Sequence, residues 1–483
     1  MPRTARHALP DAEQLAVTWG VPDDFGGMTS ALLQRSAAFA AAGRPVRVLT
    51  FDDRLDTAAL SERMRANGQL AEGVTVEHLW DWLGAHPLAP GAGADRVFTP
   101  LTEGEEDRHD GVVRRRTRRA DDGAMLQVDR YRADGSLLAS DRRDVLERGV
   151  PGGRAVVVCD GEGRPVRGWG SVWALYRHWF DALIGERRAV LVVDSKTSAR
   201  FVRGYRRPNV ATVHVVHSSH RGADGGFKAS RREVLEHADD FDGLVVLTDR
   251  QRRDLEHDLT VPARVDVVPN ARDLEALIAA PLDRPRGNGV MLASLTGRKR
   301  VPHAVRAVAR TETAVRLDLY GDGDRRDEVE QAIADERAED RVMLLGHRAG
   351  AAAAFAGGDF SLLTSTAEGA PLVLVESLAA GCIPIAYDIE YGPSDMIRDG
   401  VDGYVVPAGD TAALSERIDR LQRLPDAEVL AMRGRAREAA LGYTDAAVTE
   451  RWAAVLAGIA ESKGWSAGTP GLARRALRAL RRR

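Results

Sequence analysis

Cysteine is almost missing from this chain, with Cys159 and Cys382 the only two in 483 residues. So few, so far apart, exclude a disulfide framework and a cysteine-built zinc site. Lysine is nearly as scarce. Of 68 basic residues only Lys196, Lys228, Lys299 and Lys463 are lysine, so a lysine inside a motif stands out from an arginine background. No run of 18 apolar residues occurs, which leaves no candidate for a membrane-spanning helix. The opening "MPRTARHALPDAEQLAVTWG" lacks the apolar stretch of a signal peptide, and a cytoplasmic location is the expectation. The net charge of −3 argues against a nucleic-acid binder held by bulk electrostatics. What is present is ordinary for a soluble enzyme: 44% hydrophobic and 29% charged residues. The length exceeds what one core usually serves, so two domains are expected.

The chain begins as strand, loop, helix, strand. "QLAVTW" is a short apolar run, "GVPDDFGG" is loop chemistry, "MTSALLQRSAAFAAAG" has helical spacing with a terminal glycine, and "PVRVLTF" is β-branched. A β-α-β unit of this kind implies a parallel sheet. Residues from about 100 to 170 break the pattern. Strand-like segments around Asp134-Gly135 and Gly161-Glu162-Gly163 carry hairpin signals and predict an antiparallel insertion. The run "VVRRRTRR" before them reads as a solvated edge, with a basic contact surface for an anionic acceptor as the other reading. Alternation then resumes through "RAVLVVDS", "NVATVHVVHSSH", "DGLVVLT" and "RVDVVPNA". A loop rich in Pro, Arg and Gly follows, and a second α/β series runs from "GVMLASL" to "GYVVPAGD". This places an α/β N-terminal domain over 1–275 and a C-terminal domain over 276–442. A helix over 443–465 is expected to pack back on the first domain, and 466–483 is a basic tail. With six arginines in its last ten residues and leucines between them, that tail reads equally as a frayed helix or a contact with an anionic membrane surface.

The most informative stretch is "EGAPLVLVESLAAGCIPIAYD", residues 368–388. "FSLLTST" reads as a strand, and "PLVLVESLAAG" as a helix with Pro371 at its first turn and Gly381 just past its end. Glu368 then lies in a strand-to-helix loop at the C-terminal side of a parallel sheet, where ligands usually bind. The first amides of the helix form a site for phosphate. Glu376 lies a turn and a half further on, on the face shared with Leu372 and Val373, where its carboxylate could accept bonds from two ribose hydroxyls.

Taken with its continuation, "STAEGAPLVLVESLAAGCIPIAYDIEYGPSDMIRDGVDGYVV" closely resembles the nucleotide-binding half of retaining family-4 glycosyltransferases with the GT-B fold. The "YDIEYGPSDMI" segment is similar to the branch of poly(glycerol-phosphate) α-glucosyltransferases, teichoic-acid glycosyltransferases and serine-rich-protein O-glycosyltransferases. "WGVPDDFGGMTSALLQRS", "VVHSSH", "GLVVLTDRQRRDL", "VVPNA" and "LYGDGD" resemble further family positions. The resemblance runs from about residue 15 to 460, weakens between 80 and 170, and leaves out the tail.

The resemblance implies two Rossmann-like domains facing a cleft, with the β insertion in the first. It also implies roles. Gly26, Gly27 and Met28 form a loop approaching the diphosphate. His217 faces the transferred sugar, and Glu368 contacts the sugar hydroxyls. The amides of Gly369, Ala370, Pro371 and Leu372 hold phosphate, Glu376 binds ribose, and Lys299 in "TGRKRVPHAV" neutralises the leaving diphosphate. One position departs. The family has an arginine five residues before that lysine, and this chain has Ser294; Arg298 or Arg300 is the expected substitute.

The implied reaction moves a hexose, with retention, from a nucleotide diphosphate sugar to a polyol-phosphate polymer or related cell-envelope glycan. UDP-glucose or UDP-N-acetylglucosamine is the expected donor. Transfer to serine or threonine of a protein, and a non-catalytic GT-B binding subunit, are the alternatives. No metal or other cofactor is expected. On a strand His214 and His217 point to opposite faces, and Asp322–Asp324 reads as a glycine turn. Sugar, base, acceptor and oligomeric state are beyond the motifs.

Overall fold

The computed structural model describes residues 8–465 except 148, 149 and 223; the basic tail lies outside the described residues. Packing divides the chain into two compact units. One joins Asp11–Phe25 to Phe39–His214, and the other joins Gly26–Ala38 to Val215–Ser462. Residues 215–275 carry the strands Gly243–Val246 and Val265–Val267, which pair with each other in parallel.

The first unit carries the parallel strands Glu13–Val17, Val46–Thr50, Val74–His78 and Ala189–Val193, with Val210–His214 paired to the last of them. Strand Ala189–Val193 is buried at every position. An uninterrupted "AVLVV" is what a strand covered on both faces requires. Between these strands stands the antiparallel insertion, a six-stranded meander from Glu105 to Trp169. Two of its turns fall at the expected signals, at Gly135 and Gly163, and a third falls at Gly123; all three glycines have φ near +80°, the region glycine enters at least cost.

The arginine run on strand Val112–Arg119 is not a bare basic surface. Arg115 pairs with Asp107, Arg116 with Glu106 and Arg119 with Glu105 on the neighbouring strand, while Arg118 reaches Asp144. Acids match four of its five arginines, and the strand is paired on both sides, by Glu105–His109 and Met125–Tyr131, so the expected edge is corrected to an interior strand of the sheet.

His78 ends a strand of this unit with its side chain 1% exposed. Burial opposes its protonation, but Asp52 and Asp81 beside the ring outweigh burial and push the imidazole up to about 9. A folded-state value above the ordinary 6.5 means stability that is complete below pH 6.5 and lost as pH rises through 9. Melting temperature is expected to fall across that window by the equivalent of about 1–3 kcal/mol. His78→Gln should flatten the slope; an equal slope in both proteins would remove the assignment.

The second unit contains six parallel strands: Asn288–Leu292, Arg316–Tyr320, Val342–Leu344, Phe360–Leu363, Ile383–Asp388 and Tyr404–Pro407. Numbered along the chain, they lie in the order 3-2-1-4-5-6, that of a dinucleotide-binding sheet. The order reverses between Asn288–Leu292 and Phe360–Leu363, and ligands bind at the carboxyl ends of strands at such a point. The loops leaving these two strands carry Lys299 and Glu368. The last helix, Asp445–Ser462, meets the helix Gly27–Ala41 in the same unit. Gln34 donates to the Asp445 carboxylate at 2.7 Å, and the Arg35 guanidinium stands over the Trp452 ring.

Candidate functional site

Two loops meet at the switch point because backbone and side chains lock them together. Thr364, just past its strand, donates to the Lys299 carbonyl at 2.7 Å, and the Thr366 amide donates to the Arg298 carbonyl at 2.8 Å. From the other side, Gly321 and Gly323 of the "GDGD" turn press on the carbonyls of Ala293 and Leu295, where any side chain would collide. Asp322 caps that turn by accepting the Gly323 amide. The glycine-turn reading of Asp322–Asp324 thus has a structural purpose: it braces the loop that delivers Lys299.

Lys299 Nζ donates to Glu368 Oε1 at 2.7 Å, and Arg298 Nη1 stands at 2.7 Å from the same oxygen. Lys299 and Glu368 are only 13% and 12% exposed at the side chain, while Arg298 is 50% exposed. Burial pushes the Glu368 carboxyl up, and the Lys299 and Arg298 cations more than reverse this, so it is held below the usual carboxylate range. The site holds an ionised carboxylate bound by two cations. Residues assigned separately to the sugar and to the diphosphate are direct neighbours here.

The two candidate substitutes for the arginine absent at Ser294 diverge. Arg298 converges on Glu368. Arg300 instead adopts a left-handed conformation (φ 44°, ψ 42°) between a 3-10 turn and the helix Val301–Ala309. Its guanidinium is turned toward Gly409 and lines a separate cavity with His303, Arg306 and Arg325. Of the two, Arg298 is the one that stands against Glu368 in this structure.

The helix Leu372–Ala380 starts and stops where the residues say. Pro371 precedes it with extended ψ, and Gly381 ends it in the left-handed conformation at φ 66°. Its first amides precede the hydrogen-bond ladder and head the turn beside Glu368. Pro371 has no N–H, so the donors here are Gly369, Ala370, Leu372 and Val373, and Pro371 is withdrawn from the phosphate contacts. Gly369 is required by close approach: a side chain would strike the His217 carbonyl and the Ser218 backbone. That contact brings His217 to the Glu368 loop.

Glu376 is buried, 5% exposed at its side chain, and Arg272 Nε donates to its Oε1 at 2.6 Å. Arg272 also donates to the Ser30 hydroxyl at 3.2 Å, and its backbone amide is fixed on the Tyr443 carbonyl. Glu376 and Arg272 line a cavity of about 310 Å³ whose wall includes Ala352, Ala353 and Ala356. Arg272 was not singled out in the sequence; its only signal was its place one residue past the "VVPNA" segment. Gly26 and Gly27 need no glycine for packing, since a side chain at either meets nothing within 4 Å. His214 and His220 serve different partners, the Val193 carbonyl and the Asp258 carboxylate. Among the described residues no group of three or more His, Cys, Asp or Glu could hold a metal ion, and no helix is long and apolar enough to cross a membrane.

Residues 289–440 match the family Glycosyl transferases group 1. Over 276 residues the chain is 32% identical to an exopolysaccharide phosphotransferase of Streptomyces coelicolor, covering 54% of this chain and 28% of that protein. It is 25% identical over 291 residues to the poly(ribitol-phosphate) alpha-N-acetylglucosaminyltransferase of Staphylococcus aureus, covering 58% of this chain and 57% of that one. The chain thus spans between about a quarter and three fifths of these relatives. A crystal structure of a point mutant of S. aureus TarM with fondaparinux, alpha-GlcNAc-glycerol and UDP superposes with a TM-score of 0.69 at 18% identity, covering 92% of this chain and 99% of that one. The fold is that of the GT-B glycosyltransferases.

Proposed function

We propose, for a chain whose residues 289–440 are a glycosyl transferases group 1 domain, that the protein is a retaining hexosyltransferase. Its donor is a nucleotide diphosphate sugar, with UDP-glucose or UDP-N-acetylglucosamine first in order. Its acceptor is a polyol-phosphate polymer or related cell-envelope glycan, the chemistry named for the poly(ribitol-phosphate) relative. The observation that carries this reading is the convergence of Lys299, Arg298 and Glu368 at the switch point. It lies beside free helix amides and one and a half turns from a buried carboxylate that lines an open cavity.

Each part has a chemical task. The helix amides and Lys299 hold the diphosphate and stabilise the charge it gains on leaving. Glu368, kept ionised, accepts hydrogen bonds from sugar hydroxyls, and His217 closes the sugar's other side. Glu376 has acceptor capacity beyond its bond to Arg272 for ribose hydroxyls. The acceptor hydroxyl attacks the anomeric carbon on the face the diphosphate leaves. The carbon–oxygen bond to phosphate breaks as the new glycosidic bond forms, and the acceptor proton passes to the departing phosphate. No protein nucleophile takes part. Positive potential comes from amides and side chains, so we infer that transfer is independent of divalent metal, and that it takes place in the cytoplasm where the donor is made.

A thermal-shift panel of nucleotide sugars in excess chelator tests the reading. The true donor should raise stability by about 2.7 kcal/mol at a hundred times its dissociation constant, and hydrolyse slowly without acceptor. Binding without hydrolysis or transfer points to the non-catalytic subunit. Binding or turnover that needs a divalent ion overturns the metal-free diphosphate site.

A further inference from the structure

Nearly every arginine around the site answers to an acid. Arg272 has Glu376, Arg298 has Glu368, and Arg221 has Asp258 and Asp254. Arg231 does not. It stands on the helix Ala229–Leu235 and donates through Nη2 to the Ser218 hydroxyl at 2.8 Å. No carboxylate among the described residues offsets its charge, and burial alone acts on it, pulling the guanidinium below its ordinary value. A guanidinium has five N–H donors, and one neutral hydroxyl is poor compensation for a charge half withdrawn from water. Other half-buried arginines are held differently: Arg284, for example, donates to the carbonyls of Pro281, Ala356 and Ala380 and so ties the fold.

Position gives the unmatched charge a meaning. Ser218 follows His217, and the backbone of both lies against Gly369, at the turn that offers amides to phosphate. We propose that Arg231 is a phosphate-binding residue of this site, its guanidinium completed by an oxyanion of the substrate pair: the phosphodiester of the acceptor or the diphosphate of the donor. Ser218 holds the guanidinium in place until the anion arrives. This rests on reading the Lys299–Glu368 site as one for a nucleotide diphosphate sugar.

The test compares the full chain with Arg231→Met, which keeps volume and removes charge, and Arg231→Lys, which keeps charge without the planar fork. Calorimetry with UDP and with glycerol 3-phosphate separates the two sources. Arg231→Met is expected to lose tenfold or more in affinity for one probe, and its ligand-free form to melt no lower than wild type. Loss on glycerol 3-phosphate assigns the acceptor, and loss on UDP assigns the diphosphate. Unchanged affinity for both probes overturns the proposal, as does a ligand-free Arg231→Met that melts well below wild type with binding intact. If Arg231→Met does not fold, Arg231→Lys decides: weaker binding of one probe supports the anion site, and unchanged binding of both rejects it. A wild-type chain that binds glycerol 3-phosphate but no UDP refutes the donor site while leaving Arg231 its phosphate; one that binds neither refutes both.

Discussion

Lys299→Met should slow transfer by two to three orders of magnitude, about 2.7–4 kcal/mol of transition-state stabilisation, with much less effect on donor affinity. Charge on the diphosphate grows as it leaves, so a cation beside it matters more in the transition state than in the ground state. The fold should survive, because Glu368 retains Arg298 at 2.7 Å when Lys299 is gone. Arg298→Ala should cost less, about tenfold, since half of that side chain is exposed and screened. Arg300→Ala should leave turnover close to wild type, because its guanidinium faces Gly409. A larger loss from Arg300 than from Arg298 would show that the loop rearranges on binding.

The same cluster predicts a pH effect. The Glu368 carboxyl is depressed, despite burial, by Lys299 first and Arg298 next. Its ionised form therefore persists below the usual carboxylate range and is lost only as pH falls further. Activity should hold on the acid side in the wild type. In Lys299→Met burial is less opposed, and the acid limb of the residual activity should move up. An unmoved limb would mean that Glu368 does not control it.

Glu376→Ala should weaken nucleotide-sugar binding by ten- to a hundredfold, about 1.4–2.7 kcal/mol, through loss of the ribose contacts. From the sequence alone this substitution should barely touch the fold. The structure corrects that expectation. Glu376 is buried and bonded to Arg272, so its removal strands a guanidinium that is about a third exposed and still held by Ser30. A stability loss of roughly 1–2 kcal/mol should accompany the binding loss. Calorimetric titration well below the melting temperature separates the two. Unchanged affinity for the diphosphate sugar would end the ribose assignment, whatever the stability.

Local chemistry determined much of this protein directly. Apolar runs alternating with helical spacing dictated parallel sheets, because strands that read "AVLVV" or "LVVL" must be covered on both faces. Asp-Gly turns announced the antiparallel insertion, and Pro371 with Gly381 bounded the helix between the two glutamates. The pair Glu368 and Glu376 was legible for the same reason: eight residues of a strand-to-helix turn keep their relative places wherever the unit sits.

Tertiary structure decided whatever depends on distant partners. Lys299 and Glu368 are 69 residues apart, and Arg272 and Glu376 are 104 apart. Lys299 and Glu368 meet because the strand order 3-2-1-4-5-6 sets the ends of the first and fourth strands side by side, a crossover no local period encodes, while Arg272, which precedes the first of those strands, is held at Glu376 by its bonds to Ser30 and the Tyr443 carbonyl. The arginine run could not show its cross-strand acids until the register of the meander was set. Arg298 and Arg300, two residues apart and alike in sequence, were separated by one left-handed residue. Arg231 was one arginine among dozens until packing left it half-buried, on the Ser218 hydroxyl and without an acid. Periodicity tells which face of an element is inside; only the assembled sheet tells which charge finds a partner there and which does not.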